Sequence, residues 1–166
     1  FPVHEGSLTY FPPGVKHQLV GDDCPDWMQY LIITCPVDVD VADVRQSKPR
    51  VLNWREAQPA LGNHGKAVTW LLLERIGADS PATDEPCLLA FHYLARQALG
   101  RGQASDMHQH DDKEQIYYVT EGEGVVVTEY QAHRVREGDA VYLPRSVPHM
   151  ILNDAWDGWL SYLVVS

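Results

Sequence analysis

Cysteine is scarce in this chain and poorly placed for structural use. The three present, Cys24, Cys35 and Cys87, are odd in number and too far apart for a CxxC metal site, which excludes a disulfide scaffold. A reducing cytoplasm is the expected compartment, and no signal-peptide pattern is visible. Basic charge is short as well. Lys and Arg total 13 against 23 Asp and Glu, leaving a formal net charge of -10 and a pI near 5.1. Nothing offsets phosphate repulsion, so nucleic acid and anionic membrane surfaces are excluded as partners. Apolar runs such as Tyr30–Ile33 and Leu71–Leu73 fall far below the roughly 20 residues that a membrane-spanning helix needs. What is present is a globular inventory, 45% hydrophobic in 166 residues, enough for a real core in roughly one or two small domains.

Turn signals divide the sequence into short strands. Residues 67–74 and 87–94 are apolar enough for buried strands, 79–86 reads as a loop, and Gly100, Gly102 and Ser105 mark a turn. Residues 115–119 alternate, and 125–128 with 133–135 read as a hairpin closed by a turn at Gly138 and Asp139. Strands at such short, regular spacing predict an all-β barrel or sandwich. Upstream, Asp38, Asp40 and Asp43 alternate with valines as in an edge strand, and residues 53–57 predict a short helix capped by Asn53.

The histidines gather where glycine and proline punctuate most regularly. Gly102 is followed, after five residues, by His108-Gln109-His110, then Glu114-Gln115 and Gly122. Gly138 precedes Pro144 by five residues, with His149 and Asn153 beyond. On extended backbone alternate side chains share a side, so His108 and His110 can aim two imidazoles at one point. His149 must return on a facing strand, which a closed barrel provides. Neutral imidazole suits Zn, Fe, Ni or Cu, and an amide or carboxylate oxygen completes a mixed site. Counting forward from His110 makes that oxygen Glu114's, while counting back from Gly122 makes it Gln115's. Register against the following turn favours Gln115, on one face with Tyr117 and Val119, over Glu114 on the face of Ile116 and Tyr118. A glutamine would leave a divalent ion its full charge and a stronger hold on an anion. Tyr117 is the candidate acid-base or hydrogen-bonding group, a barrel-wall aromatic being the alternative.

These spacings resemble the two conserved motifs of the cupin superfamily, with Ser146 standing where glycine is usual. The resemblance implies a double-stranded β-helix, or jelly-roll barrel. It also implies one divalent transition metal (Fe, Mn, Ni or Zn) on His108, His110, Gln115 and His149. Dioxygenases, isomerases and lyases are the outcomes such a family leads one to expect. The chain then reads as a metalloenzyme acting on a small oxygen-rich acid, with a non-catalytic binding or sensor protein as the alternative.

The second motif also occurs near the start, as Gly6, Pro12-Pro13-Gly14 and His17. Slid along the chain, Gly6 falls on Gly138, Tyr10 on Tyr142, His17 on His149, Asp22 on Asp154 and Trp27 on Trp159, an internal repeat. The organisation expected from it is bicupin-like, either a fragment or a naturally short form. Residues 1–36 would be the C-terminal half of a first barrel, 37–66 a linker and 67–166 a complete barrel. Strands within 27–33 would lack partners, which points to a homodimer built on residues 8–34. No metal is expected at His17, whose motif partners are missing. His4, His64, His92 and His133 read as loop, core or surface histidines, and Asp111, Asp112 and Glu114 as a solvated loop.

Overall fold

Period-two alternation builds the barrel walls. In the computed structural model, which describes residues 1–21, 27–38, 40–62, 64–78, 83–129 and 131–166, the chain opens with β1 (Ser7–Tyr10), α1 (Val41–Gln46), β2 (Arg50–Asn53) and a 3-10 turn, Trp54–Glu56. There follow β3 (Pro59–Leu61), β4 (Val68–Glu74), β5 (Tyr93–Leu99), β6 (Gln115–Glu121), β7 (Glu123–Thr128) and β8 (Ala132–Arg136). The last strands are β9 (Ala140–Leu143), β10 (His149–Leu152) and β11 (Leu160–Val165). A six-stranded sheet in the order β3-β4-β5-β11-β6-β9 faces a three-stranded one in the order β10-β7-β8. Every strand pair is antiparallel.

On β6 the side chains of Gln115, Tyr117 and Val119 are buried while Ile116 is exposed. Their inward face meets Val126 of β7, Ile151 of β10 and Tyr162 and Val164 of β11 in one core. Each large side chain moved out of water there contributes roughly 1.5–3 kcal/mol. β11 lies between β5 and β6 and is buried along nearly its whole length. A second cluster, Leu73, Cys87, Leu88, Leu94 and Val165, is covered by Leu8, Tyr10 and Leu52 of the β1–β2 ribbon. The 3-10 turn is fixed beside it. The Asn53 side chain accepts from the Arg55 N–H, and the Arg96 guanidinium lies 3.8 Å over the Trp54 ring.

Several local expectations change. Residues 87–92 are not a strand, although Cys87, Leu88 and Leu89 are buried; the Cys87 and Leu88 amides both donate to the Glu74 carbonyl, and β5 starts at Tyr93. Residues 41–43 of the expected edge strand lie in α1 instead, Val41 and Val44 standing three apart in sequence, a helical and not an alternating spacing. Residues 27–33 form no strand and leave Trp27, Tyr30 and Ile32 exposed. Asp22, Cys24 and residues 79–82 of the expected loop lie outside the described residues.

The repeat is visible in backbone conformation as well as in residues. Gly6 and Gly138 have φ +82 and +90, and Gly14 and Ser146 have φ +79 and +59. β1 precedes the Gly14 turn as β9 precedes the Ser146 turn. Serine in the left-handed region costs about 1–2 kcal/mol, and here Ser146 recovers part of that through bonds described next.

Candidate metal centre

The three motif histidines converge through different constraints. His108 and His149 form an isolated antiparallel bridge, His108 N–H to His149 O at 3.0 Å and His149 N–H to His108 O at 2.8 Å. Residues bridged in this way face each other across the ladder with side chains on one side. Their ring centroids lie 4.4 Å apart. His110 is tethered separately. The Ser146 amide donates to its carbonyl at 2.7 Å, and the Ser146 hydroxyl to Asp111 Oδ1 at 3.1 Å. The unusual turn after β9 therefore holds the His-x-His segment in place. His110 sits 5.0 Å from His108 and 5.8 Å from His149, ring to ring.

One ring nitrogen of two members is committed elsewhere. His108 Nδ1 donates to the Asp106 carbonyl at 2.9 Å and His149 Nδ1 to the Val147 carbonyl at 2.8 Å. A proton on Nδ1 leaves the Nε2 lone pair free to bind a cation. The Nε2 atoms of His108, His110 and His149 are all buried without a hydrogen-bond partner. One ligand atom from each residue falls within 4.8 Å of the others. Orphaned buried polar atoms are rare in proteins, so three converging together fit a bound ion. Two of the rings, those of His110 and His149, are also shifted toward the neutral form. Burial, then the neighbouring His108 and Lys113, push His110 down to about 4, and burial lowers His149.

Gln115 enters this interior from β6 and is 2% exposed. Its Nε2 donates to the Tyr93 hydroxyl at 2.7 Å, and its Oε1 accepts from Tyr117 at 3.4 Å. The amide is thus oriented by its nitrogen, and its oxygen keeps a lone pair. Tyr117 packs edge-on to His149 at 5.9 Å. Burial raises its pKa far above the usual phenol value, with Tyr93 adding to the effect, so it stands as a donor. Glu114 is on the opposite face, exposed, and accepts from the Tyr142 hydroxyl at 2.7 Å. Two neighbours escaped the sequence reading. Tyr93 was placed within a strand that in fact begins there. His64, set aside as a loop histidine, lies 5.2 Å from His108 ring to ring, a contact that no sequence spacing signals.

A small antiparallel barrel with three inward imidazoles unpartnered at Nε2 defines a class, β-barrels with a candidate metal site. Residues 95–165 match the profile of the cupin domain family, and the barrel has the cupin fold. A 60-residue stretch is 35% identical to an uncharacterized protein of Methanocaldococcus jannaschii, covering 36% of this chain and 48% of that protein. The chain thus spans about half the length of the curated relative it matches. Among solved structures, a predicted oxalate decarboxylase of Thermotoga maritima is similar with TM-score 0.59 and 23% identity, over 70% of this chain and 96% of that one. The polyketide cyclase RemF of Streptomyces resistomycificus follows with TM-score 0.54 and 19% identity, over 69% and 75%. A cupin-2 domain of Rhodospirillum rubrum has TM-score 0.54 and 17% identity, over 69% and 71%. At these identities the structures speak for the fold.

Proposed function

We propose that the barrel holds one divalent transition metal on His108, His110, His149 and Gln115 and acts there on a small, oxygen-rich acid. The observation that carries this is the set of three buried Nε2 atoms with no partner. A divalent ion at that point would supply Lewis acidity toward an oxygen ligand or, if redox-active, an oxidation centre. The chain's own residues do the rest. The Nδ1–carbonyl bonds fix the rings of His108 and His149, Gln115 adds no negative charge, and Tyr117 keeps its proton as a donor inside the barrel. A site so composed favours an anion on its open side. Oxalate, named in the Thermotoga neighbour, is an acid of this class. A dioxygenase-like, isomerase or lyase reaction is the reading for an enzyme. A binding or sensor protein, in which the same centre holds a small molecule without turnover, is the second reading.

Metal analysis tests the centre. The wild type should carry one equivalent, and the His110→Ala/His149→Ala double variant none. Full metal content in that variant, with the fold intact by circular dichroism, would end the proposal. Redox-active iron with O2 uptake on catechol- or gentisate-like acids selects the dioxygenase-like reading; zinc or nickel without turnover selects the binding one.

A further inference from the structure

Four imidazoles, not three, meet at the end of this barrel. His64 comes from the connection between β3 and β4 rather than from a barrel strand. Its ring lies 5.2 Å from that of His108, tilted by 35°. Yet it stands outside the set whose ligand atoms fall within 4.8 Å of one another, so it is placed beside the metal ligands without being one.

The placement is built into the backbone. Lys66 N–H donates to Ala104 O at 3.1 Å, which ties the connection to the segment leading into His108, and Ala67 N–H donates to His64 O at 3.1 Å, which closes the turn that carries His64. Gly65 has φ +62, and a Cβ there would come within 2.6 Å of the Asp106 amide nitrogen. Only glycine permits that approach without a shift, and the approach puts His64 against His108. Among the described residues neither His64 ring nitrogen makes a hydrogen bond. A half-buried imidazole with both nitrogens unspent, next to a metal ligand, is available to an incoming molecule.

We propose that His64 is a ligand-positioning residue, whose N–H donates a hydrogen bond to the anionic oxygen ligand bound at the metal's open side. This rests on the metal-centre reading above. The class of ligand is a small carboxylate or enediolate, since a neutral N–H donor beside a cationic centre selects for anionic oxygen. Lys113, its ammonium 5.6 Å over the Tyr93 ring, adds positive charge to the same end of the barrel.

The test uses the intact chain loaded with Co(II), with oxalate as the probe and the visible cobalt spectrum as the readout. His64→Phe keeps a ring against His108 but removes the donor; His64→Asn keeps a donor. His64→Phe should retain one cobalt per chain and bind oxalate about tenfold or more weakly, the loss expected for a charge-assisted hydrogen bond. His64→Asn should recover part of the affinity. Oxalate affinity in His64→Phe equal to wild type would overturn the positioning role while leaving the metal centre standing. Loss of cobalt in His64→Phe would also overturn it, by making His64 a ligand or a packing residue. A wild type that fails to take up cobalt would instead remove the metal reading, and this inference with it.

Discussion

Replacing Gln115 with glutamate tests the composition of the centre with one atom's change. Gln115 is 2% exposed and its Nε2 donates to Tyr93 at 2.7 Å. Gln115→Glu keeps the shape, removes that donor and introduces a carboxylate that burial penalises. In the metal-free protein the lost donor and the desolvated acid should cost roughly 1–3 kcal/mol. With metal bound the sign reverses. The carboxylate attracts the ion, so metal affinity rises, but it cancels one unit of charge that an anionic ligand would otherwise feel. Two unit charges about 4 Å apart interact by about 4 kcal/mol at an effective dielectric of 20. Oxalate binding should therefore weaken by up to about a thousandfold.

Calorimetric titration of metal into apo-protein, then of oxalate into the loaded form, measures both terms separately. Glu114→Gln is the control, because Glu114 lies outside and bonds to Tyr142; it should change neither affinity by much. Tighter metal with weaker oxalate in Gln115→Glu, and neither in Glu114→Gln, is the expected pattern. If Gln115→Glu leaves both affinities at wild-type values with the metal site filled, Gln115 is not on the metal and the charge argument fails. If Glu114→Gln shows the effect instead, the face assignment of β6 is wrong.

Two further outcomes are expected. The pKa values of His110 and His149 lie below the ordinary 6.5, His110 at about 4, so between about 4 and 6.5 the unfolded chain binds more protons. Stability of the metal-free protein should be fully present above pH 6.5 and fall as pH drops toward 4; a urea midpoint unchanged from pH 7.5 to 5 would contradict this. Residues 27–33 fall in the repeat on 159–165, Trp27, Tyr30 and Leu31 on Trp159, Tyr162 and Leu163; β11 there pairs on both sides, yet Trp27, Tyr30 and Ile32 are exposed. We propose that a second copy of the chain covers them in a homodimer, so light scattering should give a dimer that Tyr30→Ser/Ile32→Ser dissociates. A monomeric wild type, or a dimer indifferent to those changes, would show that this segment is not the interface.

What could be read in advance depended on the range of the interactions involved. The face of β6 was legible because alternation is a property of the strand itself: Gln115, Tyr117 and Val119 are buried and Ile116 is exposed. The Gly138 turn and the hairpin of β7 and β8 were legible for the same reason. The strand expected at 87–94 was not, because an apolar run reports burial and not conformation. Cys87 and Leu88 are buried as irregular backbone hung on the Glu74 carbonyl. Tyr93 was thereby lost as the partner of Gln115, and His64 was lost because its contact to His108 is made across a distant part of the chain.

The histidines themselves show both ranges at once. His108 and His149 each donate Nδ1 to the carbonyl two residues back, at 2.9 and 2.8 Å, and His17 makes the same contact to Val15 at 2.9 Å. That anchor is local, so it recurs wherever the turn recurs, with or without a site around it. His17 shows the limit of what it achieves: exposed and stacked on Phe11 at 4.1 Å, it has the anchored nitrogen but, among the described residues, no converging metal-ligand partners. At His149 the same local device is joined by the bridge to His108 and by the Ser146 tether on His110. Those are long-range contacts, and they alone turn an oriented imidazole into one member of a metal-sized cluster. The motif therefore sets how each ring points, while the closure of the barrel decides whether three rings point at the same place.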